Sequence, residues 1–119
     1  MDRGRRFKKY VWVASEATKV YIEENPLANK TTSQFAQDAN INRKKLQAAF
    51  KELTGMGIQE YLLTQRMKQA RQLLQDGKIP IKEIAITCNY KSQRSFTTAF
   101  KKAFGVTPME YQNQPSHSE

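Results

Sequence analysis

Apolar residues recur along this chain at steps of three and four, and alternation of period two never persists, so the pattern predicts helices and no strand. Residues 5–25 hold no Gly or Pro, and Phe7, Tyr10, Ala14, Ala17 and Tyr21 mark one face of a first helix. Asn25-Pro26 ends it, because proline disfavours the α region for its predecessor. Thr31 with Gln34 three residues later has capping-box spacing and opens a short helix whose buried stripe is Phe35, Ala36 and Ala39. A turn at Asn40-Ile41-Asn42 leads into a second helix, N-capped by Asn42 and stopped by Gly55. Its inward positions are Leu46, Ala49, Phe50 and Leu53. Ile58–Asp76 reads as one long helix closed by Gly77, burying Ile58, Tyr61, Leu62, Ala70, Leu73 and Leu74.

The pattern then returns. Ile84, Ala85 and Cys88 repeat Phe35, Ala36 and Ala39 at a spacing of 49, while Phe96, Phe100, Gly105 and Tyr111 repeat Leu46, Phe50, Gly55 and Tyr61 at 50. The single-residue change falls in the turn, where Asn40-Ile41-Asn42 faces Asn89-Tyr90-Lys91-Ser92. A repeat that keeps its buried positions and absorbs its indel in a turn is a duplicated structural unit. Each unit is a short helix, a tight turn and a longer helix, the helix-turn-helix arrangement. Ser92 is expected to cap the second long helix, and Thr107-Pro108-Met109-Glu110 joins a capping box to Pro at N1. The expected architecture is all-α. Residues 1–57 form a first helix-turn-helix subdomain with an N-terminal helix, 58–77 a linker helix, 78–114 a second subdomain and 115–119 a disordered tail.

Composition narrows the class. Apolar residues are 39% of 119, enough for one small domain with an ordinary core, which excludes a fully disordered chain. No run approaches the roughly 18 apolar residues of a membrane span, and the basic N-terminus lacks the apolar region of a signal peptide. One cysteine, Cys88, excludes an internal disulfide and suits a reducing cytoplasm. One histidine, His117, sits in the terminal tail, so no metal cluster, no cofactor loop and no acid–base set for an enzyme is assembled. The net charge of +9 points to a polyanion as partner. Residues 78–106 carry six bases against Glu83 alone, so the excess is concentrated there and, to a smaller extent, in residues 1–30.

The outward positions supply the chemistry. Opposite Leu46 and Phe50 stand Arg43, Lys44, Gln47 and Lys51; opposite Phe96 and Phe100 stand Gln93, Arg94, Thr97, Thr98 and Lys101. These groups hydrogen-bond base edges and phosphates, and neither face carries an acid. A merely solvated helix would mix signs. The connecting helix, 19 residues at about 1.5 Å each, measures about 28 Å against the roughly 34 Å between successive major grooves. One chain can then place recognition helices 42–54 and 92–104 in two adjacent grooves of an asymmetric site. The alternative is a basic helical module indifferent to sequence, either DNA-architectural or RNA-binding.

These residues resemble the DNA-binding domain of AraC/XylS-type bacterial transcription regulators over about residues 15–112. In the second half the resemblance runs through Ile84-Ala85, Asn89-Tyr90, Ser92, Phe96, Phe100-Lys101-Lys102, Gly105, Thr107-Pro108 and Tyr111. In the first it runs through Tyr21-Ile22-Glu23-Glu24-Asn25-Pro26, Leu46, Phe50-Lys51, Gly55, Tyr61, Arg66, Ala70 and Leu73-Leu74. It implies seven helices, two helix-turn-helix units, sequence-specific promoter binding and transcriptional activation through contact with RNA polymerase. It also implies base contacts by Lys44, Gln47, Gln93, Arg94 and Thr97; the phosphate contacts expected beside them are Thr31, Arg43, Lys51, Ser92, Thr98 and Lys101. Two departures stand out. The family often has Arg two residues before the helix Phe, where this chain has Ala48 and Thr98, and Asn89 stands where Gly is usual.

Many members of that family carry an N-terminal sensor or dimerisation domain, so the chain reads either as an output domain or as a short regulator acting at the bacterial nucleoid. Other residues keep two readings each. Arg66 orders or contacts the neighbouring units, or is solvated or internally salt-bridged. Phe7, Tyr10 and Trp12 pack the first helix or stack on bases, and exposed placement would mark an interface. Cys88 is core packing or a redox sensor. The bases of residues 3–9 touch phosphate or are solvated, and residues 112–119 are expected to be disordered.

Overall fold

The computed structural model describes residues 7–114. Those residues form seven helices: α1 (Lys9–Glu24), α2 (Thr32–Ala39), α3 (Arg43–Thr54), α4 (Ile58–Asp76), α5 (Ile81–Thr87), α6 (Gln93–Phe104) and α7 (Pro108–Gln112). Among the described residues there is no strand, and no helix is long and apolar enough to cross a membrane. Contacts group the chain into two compact units, Met1–Gln65 and Arg66–Glu119, so the division falls within α4.

In the first unit α1 and α2 both pack on α3. Ile22, Phe35, Ala36, Leu46, Phe50, Ile58 and Leu62 form its core, with Ala14, Ile41 and Tyr61 against it. Phe50 and Tyr61 meet edge-on at 5.4 Å and 75°, a pairing that adds about 0.5–1.5 kcal/mol to the burial of the rings. The expected caps form. Thr31 Oγ1 accepts from Gln34 N at 3.1 Å, Gln34 Oε1 accepts from Thr31 N at 2.8 Å, and Asn42 Oδ1 accepts from Lys45 N at 3.1 Å.

Helix α1 departs from the expectation. It begins at Lys9, and Arg3, Arg5 and Arg6 lie outside the described residues. Its inward face is Val11, Ser15, Thr18 and Ile22, one position on from the stripe that the apolar pattern picks out, while Tyr10 is 56% exposed and Tyr21 39%. The cause is local hydrogen bonding. Ser15 Oγ donates to the Trp12 carbonyl at 2.7 Å and Thr18 Oγ1 to the Ala14 carbonyl at 2.8 Å. Two polar side chains are thereby buried with their donors satisfied inside their own helix.

The second unit repeats the plan, with α5 and α7 packed on α6. Ile84, Ala85, Cys88, Phe96 and Phe100 are buried, as are Met67, Ala70 and Leu74 of α4. Met67 is absent from the sequence-based core, whereas Tyr61 and Leu73 are only half-buried. Phe100 and Tyr111 meet at 5.9 Å and 64°, the counterpart of Phe50 and Tyr61. Thr107 Oγ1 accepts from Glu110 N at 3.1 Å and Glu110 Oε1 from Thr107 N at 2.9 Å. Gln112, expected in a disordered tail, is the last residue of α7, and its Nε2 donates to the Leu74 carbonyl at 3.3 Å. Residues 115–119, His117 among them, lie outside the described residues.

Candidate nucleic-acid interface

Helix α3 turns its apolar positions Leu46, Ala49 and Phe50 into the core, so its remaining face is set by a 100° step per residue. That face brings Arg43, Lys44, Gln47, Ala48 and Lys51 around one shallow depression of about 350 Å³. Ala48 is exposed on that face among the basic side chains. Arg43, Lys44 and Lys51 are exposed and, among the described residues, none forms an ion pair. Thr31 lies at the start of α2, its hydroxyl oxygen taken by the Gln34 amide.

Helix α6 buries Phe96 and Phe100 and exposes Gln93, Arg94, Thr98 and Lys101, with Thr97 half-buried beside them. Two of the hydroxyls are already engaged. Thr98 Oγ1 donates to the Arg94 carbonyl at 3.1 Å, while Ser92 Oγ accepts from Ser95 N at 3.1 Å and donates to Ser95 Oγ at 3.0 Å. A phosphate oxygen only accepts, so these two hydroxyls can serve it only by releasing a bond. The charge on the Lys101 ammonium helps, after the Thr107 hydrogen bonds, to hold the Glu110 carboxyl below its ordinary value.

Gln47 differs from the other expected base-contacting residues. It is half-buried, and its Oε1 accepts from the Ile58 backbone N–H at 2.8 Å, eleven residues along the chain. Sequence reading missed this bond because a backbone donor carries no residue-type signature. The available signal was the mismatch of Gly57-Ile58 with Thr107-Pro108 within the repeat.

Cys88 and Arg66 lie in the second unit. Cys88 is fully buried, and desolvation pushes its thiol pKa up against the opposing charge of Arg66. Desolvation likewise raises the pKa of Tyr90, again against the opposing charge of Arg66. Burial and the raised pKa both disfavour the thiolate that redox sensing needs, and Cys88 packs within the core of the second unit.

A family model described as a helix-turn-helix domain matches residues 35–114. The chain is 39% identical over 97 residues to the F1 operon positive regulatory protein of Yersinia pestis, covering 80% of this chain and 32% of that protein. It is 35% identical over 91 residues to the HTH-type transcriptional regulator ArgR of Pseudomonas aeruginosa, covering 76% and 27%. Among solved structures it is similar to the C-terminal domain of AraT, a response regulator from Geobacillus stearothermophilus. That likeness has a TM-score of 0.77 at 31% identity and covers 90% of this chain and 86% of that one. The chain spans about a third of the length of the curated relatives it matches.

Proposed function

The chain belongs to the AraC/XylS family of helix-turn-helix DNA-binding domains, and we propose that it binds double-stranded DNA sequence-specifically and regulates transcription. In this proposal α3 and α6 each enter a major groove, in two adjacent grooves of an asymmetric promoter site. Lys44 and Arg94 meet guanine O6 and N7, Gln93 meets adenine, and Thr97 lies against a base edge or a thymine methyl. Arg43, Lys51 and Lys101 neutralise phosphates, with Thr31, Ser92 and Thr98 beside them as the lesser contacts. Gln47 shares the α3 face, with its carbonyl held by the Ile58 N–H and its amide turned toward Gly57.

The observation that carries the proposal is the convergence of Arg43, Lys44 and Lys51 on one acid-free depression of a recognition helix. Each phosphate neutralised contributes about −0.9 to the slope of log affinity against log salt, so Arg43, Lys51 and Lys101 together give marked salt dependence. RNA polymerase and an N-terminal sensor or dimerisation domain are the protein partners proposed with it, at the nucleoid in the bacterial cytoplasm. The chain acts by binding, with no chemical step of its own.

Capture of fragmented genomic DNA at near-physiological salt, against excess random duplex, tests the proposal. A small set of fragments surviving the competitor is the expected result. Parallel loss of all fragments points to the sequence-indifferent module instead.

A further inference from the structure

Gly57 and Thr107 stand 50 residues apart in the same structural place. The carbonyl of each accepts the first amide bond of the next helix, from Tyr61 N at 3.0 Å and from Tyr111 N at 2.9 Å. Their successors differ. Thr107 caps α7 with its own hydroxyl, and the next residue, Pro108, has no N–H to satisfy. Gly57 has no side chain to cap with, and the next residue, Ile58, is fully buried with an N–H that no carbonyl of its own helix reaches.

Gln47 meets that need from α3. Its Oε1 accepts from Ile58 N at 2.8 Å, and its amide lies over Gly57, 3.5 Å from where a Cβ would stand. Fifty residues on, the counterpart of Gln47 is Thr97, and there the first amide hydrogen of the next helix does not exist.

We infer that Gln47 is a positioning residue that locks recognition helix α3 to the first turn of α4, and that it does not read a base. The inference rests on the DNA-binding function proposed for the chain and divides the labour within it unequally. In the first unit base reading falls to Lys44, whereas in the second Thr97 stays available beside Gln93 and Arg94. The box contacted by α6 is therefore the more sharply specified of the two.

Three substitutions separate positioning from reading. Gln47→Met keeps the length of the side chain and removes the acceptor. Gln47→Glu keeps the acceptor and removes the amide donor. Gly57→Ser adds an N-cap hydroxyl for Glu60 N, as Thr107 has for Glu110 N, while leaving the Ile58 N–H to Gln47; Gly57, unlike Gly55, Gly77 and Gly105, is not at positive φ, so serine fits its backbone. The readouts are Tm, amide hydrogen exchange at Ile58 and the sequence preference selected from random duplex DNA.

Gln47→Met is expected to lower Tm and to speed Ile58 exchange roughly tenfold. It weakens binding by one common factor on the preferred duplex and on its single-base variants, with the preferred sequence unchanged. Gln47→Glu keeps Ile58 protected and the preference unchanged. Adding Gly57→Ser to Gln47→Met recovers Tm, which keeps the DNA readout accessible if the single variant unfolds. A changed preferred base in any Gln47 variant, or Ile58 exchange and Tm unmoved in Gln47→Met, overturns the inference. A wild-type protein with no sequence preference overturns the DNA reading itself, and Ile58 exchange then still decides whether Gln47 makes the lock.

Discussion

Asn40 and Asn89, 49 residues apart, turn the chain in the same way, with φ of 57° and 69°. In both turns the next residue donates its amide to a carbonyl five positions back, Ile41 to Ala36 and Tyr90 to Ala85, each at 3.0 Å. The left-handed conformation costs an ordinary L-residue about 1–2 kcal/mol, and asparagine is among the few that adopt it readily. The extra residue of the second unit therefore falls after this step, between Tyr90 and Ser92.

Asn40→Gly should leave stability within about 0.5 kcal/mol, whereas Asn40→Val should cost about 1–2 kcal/mol in urea unfolding. Equal effects of glycine and valine would show that φ at this position does not limit the turn.

The capping box at the start of α7 gives a second expectation. Thr107→Ala removes the hydroxyl that accepts from Glu110 N and should cost about 1 kcal/mol. The Glu110 carboxyl is held below its ordinary 4.5 by hydrogen bonds from Thr107, with Lys101 adding to the effect. Its folded pKa is the lower one, so its contribution is complete above the ordinary value and disappears as pH falls through the folded value. Tm should accordingly drop on acidification below the ordinary carboxylate range, and this part of the drop should be absent in Glu110→Gln. An identical acid profile in the variant would show that Glu110 carries none of this dependence.

Cys88 should be inert. Burial raises its thiol above the usual 9.0, so native protein should not react with a thiol reagent at neutral pH and should react fully once unfolded. The folded pKa here is the higher one. The associated stability is present below the ordinary value and is lost as pH rises through the raised value. Prompt labelling of the native thiol at neutral pH would contradict its burial.

The two classes of basic residue should separate on DNA. Lys51→Ala and Lys101→Ala should each reduce the salt slope by about one and weaken binding evenly across sequences. Arg94→Ala should cost about 1–3 kcal/mol on the preferred site and less on scrambled duplex. Equal losses on both duplexes would move Arg94 to the phosphate class.

Much of this fold was legible because its signals are local. Capping boxes at Thr31 and Thr107, an N-cap at Asn42 and glycines at Gly55 and Gly105 are short-range hydrogen bonding and φ preferences written into neighbouring residues. The duplication exposed the core because Phe50 with Tyr61 and Phe100 with Tyr111 must recur together to pack. The face of α1 was misread because Ser15 and Thr18 hide their polarity within their own helix, so a pattern of side-chain polarity turns it by one residue. The expected interface residues of α3 were legible as a charged face, but the bond from Ile58 to Gln47 depends on how two helices meet. That kind of information lies in tertiary geometry and not in residue type.

Selection from a random-sequence duplex pool at near-physiological salt, with sequencing of the bound fraction, decides whether the two recognition helices read DNA. Two unlike boxes centred about ten base pairs apart are the expected result, as two different reading faces in adjacent grooves require. Salt-sensitive retention of DNA with no enriched sequence would contradict it.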